Sequence, residues 1–364
     1  MNKVTAVLPA RNCRKDLHRC LTALCRGDYI PDIIVVDDDS DDRTRQMIRK
    51  HWPFVTCLQL SAHTGYAHAA NAGLRLVRTE YAFLIRPDLT AGKKCISRLL
   101  EAMDQNVFCA VPEFRTAGKN AGKKDKGNSK EGRAEGTFFP ETLRRMQKRR
   151  PDAEIIAVPD GCAMYRMQAL EEIGWLDERH YEGLEAFDLS LRGALSGWKT
   201  VLRPGAYVKA PAEKSGDRQD GHLPKGSGTF RRQLLAGNGK YVFYKNLPGP
   251  VRIMGLPLLA AADAAQIASF LKNGEPDAYK AALERGRALC SMEKEKRTAL
   301  EEGVGIWPEN LSDASFLGMD EAASRIYPLF LAEKEPASFS RFGRYLHIQG
   351  MMAAELPRII RLLL

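Results

Sequence analysis

The 364 residues, 44% of them hydrophobic, suffice for one large domain with an appended unit and are too apolar for a broadly disordered chain. The net charge of +10 is concentrated locally: between Arg115 and Arg150, twelve Lys/Arg face four Asp/Glu without the aromatic interleaving of single-strand binders, and no helix-turn-helix or zinc-finger spacing occurs elsewhere. No specific nucleic-acid partner is therefore expected. Eight cysteines, from Cys13 to Cys290, form neither a CxxC pair nor a His/Cys cluster, which excludes a disulfide framework and a structural zinc site and fits reduced thiols in a cytoplasmic protein.

The opening MNKVTAVLPARN has too brief an apolar run for a secretory signal and reads as a first strand, Val4 to Leu8. Helical spacing follows over Arg14 to Cys25, where Leu17, Leu21 and Leu24 share a face. Ile33 to Val36 predicts a buried strand that closes in acidic residues, and Arg43 to His51 a helix. Val55 to Leu60 is strand-like, Ala67 to Val77 helical, and Tyr81 to Ile85 a fourth strand ending at Arg86-Pro87-Asp88. This alternation is that of a doubly wound α/β sheet, whose ligands sit at the carboxyl ends of the strands.

Arg115 to Gly136 lacks apolar periodicity and is rich in Gly, Lys and Asn, so a mobile basic insertion is expected there. Strand signals return at Ile155 to Val158 and Cys162 to Tyr165, followed by helices at Gln168 to Ile173 and Glu185 to Leu195 and a strand at Thr200 to Leu202. From Phe230 onward the pattern is almost wholly helical, with the break placed near residue 225: a catalytic domain over 1–225 and a helical C-terminal region over 226–364.

Ile253 to Leu271 is apolar but contains Pro257, Asp263 and Gln266, which argues against a bilayer span. The ending ELPRIIRLLL sets Arg358 and Arg361 among apolar residues, which leaves room for peripheral contact with the inner face of a membrane. Packing on its own domain is the plainer expectation for that segment. The long C-terminal helices leave room for a homo-oligomer.

The run Ile34-Val-Val-Asp37-Asp38-Asp39-Ser40-Asp41-Asp42 is the first to specify chemistry. A buried strand releasing a carboxylate at its end, ahead of a Ser/Asp helix start, presents Asp37 to a crevice where it can accept hydrogen bonds from a base or ribose. The run resembles the V-V-D-x-x-S-x-D motif of family 2 glycosyltransferases. His63-Thr-Gly65-Tyr-Ala67 with Asn71-Ala-Gly73 is similar to that family's nucleotide-facing loop and helix, and Glu80 to Asp88 to its strand ending in N-P-D, a variant of the DxD metal motif. Asp160 to Arg166 and Ala169 to Glu178 follow its acceptor-side segment, so the resemblance covers roughly residues 3 to 210. Arg231-Arg232, Asn238 and Tyr241 to Pro248 look like the C-terminal helices of its rhamnosyltransferase-like branch.

The resemblance implies a GT-A fold, Rossmann-like and doubly wound with a mixed sheet and a helical C-terminal extension. It also implies inverting transfer of a sugar from a nucleotide-diphosphate donor to a saccharide, lipid-linked or protein hydroxyl. Pro9, Ala10, Arg11, Asp37, Gly65 and Asn71 would hold the nucleotide, and Asp88 a divalent cation, Mn2+ or Mg2+, on the diphosphate.

Three positions depart from the family pattern. Arg86 stands where Asn is common, Ala186 replaces the usual catalytic base in Leu184-Glu185-Ala186-Phe187-Asp188-Leu189, and Ala210, beside Lys209, occupies the register of a metal-reaching His. One reading keeps an active enzyme in which Arg86 and Lys209 neutralise the diphosphate, the metal is dispensable, and Glu185 is the base. The other is a nucleotide-binding or scaffold module that has lost catalysis. Taken singly, Glu185 also reads as a solvated acid at a helix start, Asp188 as a local packing or capping group, and Lys209 as a surface lysine. A nucleotidyltransferase is disfavoured because Pro9 to Cys13 contains no glycine for a phosphate loop.

Overall fold

Strand β1 (Val4–Ala10) is buried along its whole length, as a central parallel strand covered on both faces must be. The computed structural model describes residues 2–116, 158, 161–210, 228–246, 260, 263–264 and 266–301. Val4, Ala6, Leu8 and Ala10 join Leu17, Cys20, Leu21 and Leu24 of helix α1 (Arg14–Cys25) in one buried cluster. Each such leucine contributes about 1.5–3 kcal/mol on burial. On the opposite face of the sheet, helix α3 (Tyr66–Leu74) comes so close that a Cβ on Gly73 would lie 2.5 Å from Val7 Cγ1 and 2.8 Å from Val36 Cγ2. Gly73 is therefore required by helix–sheet contact.

The remaining strands are β2 (Asp32–Asp37), β3 (Thr56–Gln59), β4 (Tyr81–Ile85), β5 (Thr90–Ala91), β6 (Val107–Thr116), β7 (Cys162–Arg166) and β8 (Lys199–Ala210). Helices α2 (Thr44–His51) and α4 (Cys95–Leu100) belong to the same half of the chain. The sheet is mixed, in the order β3-β2-β1-β4-β7-β6-β8-β5. Strand β1 pairs in parallel with both β2 and β4, so the winding direction reverses between β1 and β4. A crevice at the carboxyl ends of such strands is the usual ligand position of an open α/β sheet. Strand β7 runs antiparallel between β4 and β6, while β8 is parallel to β6 and antiparallel to β5.

Helix α1 and strand β4 have the bounds expected from the sequence. The helix expected to reach Val77 ends at Leu74, and Val77 N–H closes a turn on the Leu74 carbonyl at 3.1 Å. The largest difference is β8, read as Thr200 to Leu202 but spanning twelve residues. Pro204-Gly205 breaks the strand pattern, and the structure absorbs it in a register shift: Pro112 faces Arg203, whereas Glu113 faces Tyr207. Of the expected basic insertion, Arg115 and Thr116 belong to β6, and the rest lies outside the described residues. The expected strand over residues 155–157 and the C-terminal ending also lie outside them.

Contacts group the chain into two compact units. Met1–Leu170 goes with Lys199–Gly228, and Glu171–Trp198 goes with Thr229–Leu364. The sheet belongs to the first unit. In the second are helices α6 (Glu185–Leu195), α7 (Gly228–Asn246) and α8 (Pro276–Glu301), while α5 (Met167–Ile173) runs across the division. Asn238 of α7 donates to the carbonyls of His180, Glu182 and Gly183 at 3.0, 3.2 and 2.9 Å, fixing the turn ahead of α6. All eight cysteines are free.

Candidate functional site

In the first unit, β1, β2 and β4 release their loops at one edge. Ala10 lies opposite Asp37 in the β1–β2 register, and Asp38 N–H donates to the Ala10 carbonyl at 2.9 Å. The loops after β1 and β2 are joined further by Asn12 N–H to Ser40 Oγ at 3.0 Å and Asp41 N–H to Asn12 Oδ1 at 2.9 Å. Three non-glycine residues here, Asn12, Asp39 and Arg43, have φ of 47°, 58° and 66°. Such left-handed backbone costs of order 1 kcal/mol or more per residue and persists where surrounding bonds over-determine it.

Asp37 is fully buried; Ser40 N–H donates to its Oδ1 at 3.2 Å, and Arg45 Nε lies 3.0 Å from its Oδ2. Burial pushes its carboxyl above the ordinary value, while Ser40 and Arg45 pull the other way. Asp38 has a different task. Its carboxylate accepts from Thr64 N–H at 2.8 Å, Thr64 Oγ1 at 3.0 Å and Gly65 N–H at 3.2 Å, and its Oδ2 lies 2.7 Å from His63 Nδ1. It thereby ties the segment leading into α3 to the end of β2. Asn71 is buried on α3.

Strand β4 runs beside β1 with Val7 opposite Leu84, so Arg86-Pro87-Asp88 leaves the sheet at the edge where Pro9, Ala10 and Arg11 do. Arg86 and Asp88 form a bidentate pair, Nε to Oδ1 at 3.0 Å and Nη2 to Oδ2 at 2.8 Å, with side chains 18% and 21% exposed. Arg86 N–H donates to the Gly161 carbonyl at 2.7 Å. A Cβ on Gly161, whose φ is +89°, would stand 2.0 Å from Arg86 Cδ, so the arginine stem fills a slot that only glycine leaves open. Lys209 is exposed on β8 opposite Thr90, two residues beyond Asp88. With both Asp88 oxygens engaged by Arg86 and Ala210 in the register of the expected His, this edge does not present a ready divalent-cation site.

The second unit contains a buried charge network. Lys245 Nζ lies 2.8 Å from Asp177 Oδ2 and 2.9 Å from Asp188 Oδ2. Arg179 pairs with both Asp177 oxygens at 2.9 Å and reaches Glu293 at 3.1 Å; Tyr241 Oη donates to Asp177 at 2.8 Å. Arg192 Nε and Asn246 Nδ2 donate to Asp188 at 2.9 and 2.8 Å. Burial alone would raise both Asp177 and Asp188, but the surrounding cations, Lys245 foremost, hold both carboxyls below the ordinary range. The ring of His180 lies tilted against Tyr241, with centroids 5.5 Å apart and planes at 53°, and burial lowers its pKa.

Among the described residues, Asp177, His180 and Asp188 are the one group of three or more His, Cys, Asp or Glu that could hold a metal, with ligand atoms within 4.8 Å of one another. The bridging ammonium of Lys245 already supplies the cation there.

Residues 5–174 match the model of the glycosyl transferase family 2. The matched segment is similar to a family 2 glycosyltransferase domain and spans just under half of the chain. It is 24% identical over 228 residues to an N-acetylglucosaminyl-diphospho-decaprenol L-rhamnosyltransferase of Mycobacterium tuberculosis, a match covering 53% of this chain and 70% of that one. Among solved structures it is similar to the mannosyltransferase PcManGT from Pyrobaculum calidifontis in complex with GDP-Man and Mn2+. That likeness has a TM-score of 0.51 at 16% identity and covers 100% of this chain and 86% of the other. GalNAc-T7 with UDP, GalNAc and Mn2+ is similar with a TM-score of 0.54 at 14% identity, covering 78% and 56% of the two chains. These neighbours show that the fold is GT-A.

Within the first unit, one edge of the sheet gathers Pro9, Ala10, Arg11, Asp37, Arg86 and Asp88. Gly65 is tied to that edge through Asp38, and Asn71 lies on the helix that follows. Glu185 lies in the second unit, at the first position of α6. It is 1% exposed, which sets aside the reading of a solvated helix-start acid. Leu184 before it and Tyr181 hold φ of 69° and 63°, so the turn into α6 is strained. Asp188 pairs with Arg192 one helical turn away and, beyond local packing, with Lys245 and Asn246 of α7. Asp38 was not singled out in the sequence, because Asp37, Asp38 and Asp39 are consecutive and nothing in their spacing says which one ties the loop. The Asp177–Tyr241–Lys245 network likewise joins residues more than sixty positions apart.

Proposed function

We propose that the chain transfers a sugar from a nucleoside diphosphate donor to an acceptor hydroxyl, with inversion at the anomeric carbon. The observation that carries this reading is the shared edge of β1, β2 and β4, where a buried carboxylate, Asp37, and the Arg86–Asp88 ion pair stand at the reversal point of the sheet, within the segment that matches the family 2 model. Pro9, Ala10, Arg11, Asp37, Gly65 and Asn71 hold the nucleoside, and Arg86 and Lys209 face the diphosphate. In the reaction the acceptor oxygen bonds to the anomeric carbon from the face opposite the donor oxygen. The bond from that carbon to the β-phosphate oxygen breaks, and the diphosphate leaves with the electron pair. A general base receives the acceptor proton, and Glu185 is the acid that the sequence offers for that role.

The relative of Mycobacterium tuberculosis is named for a lipid-linked saccharide acceptor, and that name favours the same acceptor class here over a protein hydroxyl. Among the described residues no helix is long and apolar enough to cross a membrane. The second reading, a nucleotide-binding module without catalysis, draws on one observation: Ala186 is buried where the resemblance calls for the base.

Calorimetric titration with UDP, dTDP and GDP, followed by assay of sugar transfer to a polyprenyl-diphosphate saccharide, separates the two. Binding of one nucleotide with turnover supports the transferase. Binding without turnover on saccharide, lipid-linked or peptide acceptors favours the module, and failure to bind any nucleotide sinks both.

A further inference from the structure

We propose that Arg86, seconded by Lys209, takes the place of a divalent cation at the donor edge, so that the domain binds its nucleoside diphosphate without metal. The inference rests on the donor-site reading above and concerns Arg86 and Ala210, the positions where the site departs from an oxygen-ligand metal centre. A metal on Asp88 needs carboxylate oxygens directed at it and at least one more anchoring ligand. Both oxygens of Asp88 are instead engaged by the Arg86 guanidinium, at 3.0 and 2.8 Å. The register of the expected His is Ala210. A divalent ion on Asp88 would also stand beside a permanently charged guanidinium, a like-charge arrangement that disfavours it.

The arginine is built in. Its stem lies against Gly161, where any Cβ would collide with Arg86 Cδ, and its own N–H is bonded to the Gly161 carbonyl. A side chain held by its stem, its backbone and a bidentate carboxylate loses little freedom when an anion arrives, which is the preorganisation that charge stabilisation requires. Lys209, opposite Thr90, brings a second cation to the segment that follows Asp88. The two cations and Asp88 together carry a single net positive charge, the same as a carboxylate holding a divalent metal. The sheet edge therefore offers a diphosphate the same net charge by a different route.

The test uses the full chain and whichever of UDP, dTDP and GDP binds tightest, titrated in EDTA and again in Mn2+. Wild type is expected to bind with the same Kd in both, within about twofold. Arg86→Asn, which restores the residue common in the family, is expected to lose about tenfold or more in EDTA and to recover in Mn2+. Recovery by metal distinguishes a lost charge from a misfolded loop. Gly161→Ala, which leaves the arginine present but pushes it from its slot, is expected to weaken binding in EDTA in the same direction. Wild-type binding that falls about tenfold in EDTA, or Arg86→Asn binding unchanged in EDTA, overturns the inference and leaves the donor-site reading standing. No binding of any nucleotide in either buffer overturns the donor-site reading, and this inference with it.

Discussion

Lys245 and Asp188 meet at 2.9 Å, Nζ to Oδ2, where neither side chain is more than 3% exposed. A buried pair of this kind is costly to break, because removing one partner strands the other charge away from water. Lys245→Met is expected to destabilise the protein by about 3–5 kcal/mol. Urea denaturation followed by circular dichroism measures this, and a loss below about 1 kcal/mol would mean that the neighbouring arginines suffice for both carboxylates.

The same network sets an acid limit. Burial holds His180 below its ordinary value of 6.5, against the opposing pull of Asp188 and Asp177 and with the support of Lys245. Between 6.5 and the lower folded value the unfolded chain binds a proton that the folded chain does not, so stability falls as pH drops through that window. Asp177 and Asp188, held below 3.8, add a second loss as pH falls beneath that value. Thermal melts from pH 8 to 4 should show the first decline in wild type and a flatter profile in His180→Gln. Identical profiles would remove His180 as its source.

Asp38 is expected to matter for both stability and affinity. Asp38→Ala removes the acceptor for Thr64 and Gly65 and the partner of His63. The expected stability loss is about 1–3 kcal/mol. Nucleotide affinity should fall with it, because the loop that carries Gly65 is no longer tied to β2. Unchanged affinity in a destabilised variant would confine Asp38 to a structural role.

Glu185→Gln tests the proposed base. Turnover should drop about a hundred- to ten-thousand-fold with nucleotide affinity unaltered. A rate equal to wild type would exclude Glu185 and direct attention to another acid.

Much of the first half of the fold was legible because its signals are local. Leu17, Leu21 and Leu24 mark one helical face, and Tyr81 to Ile85 is an unbroken buried strand. Strand β8 extends beyond its local sequence signal because Pro204-Gly205 interrupts its period, and only a long-range partner, β6, turns that interruption into a bulge. At the candidate site the residue types could be read in order along the chain, but their pairings could not. Arg86 and Asp88 sit two positions apart and could each have faced elsewhere; the slot at Gly161, seventy-five residues later, turns the arginine onto the carboxylate. The helical part yielded least, since Asp177 gains its meaning from Tyr241 and Lys245, which no periodicity links to it.

The pairing of β5 with β8 joins Thr90 to Lys209 across more than a hundred residues, and the intervening chain includes the whole stretch Glu171–Trp198 of the other unit. Contacts of such sequence separation are slow to form, because the entropy of closing a long loop is lost before any of them is gained. The sheet edge after Asp88 is thus among the last parts of the first unit to close during folding. On the ribosome, the first unit cannot be completed until the chain has been made through residue 210.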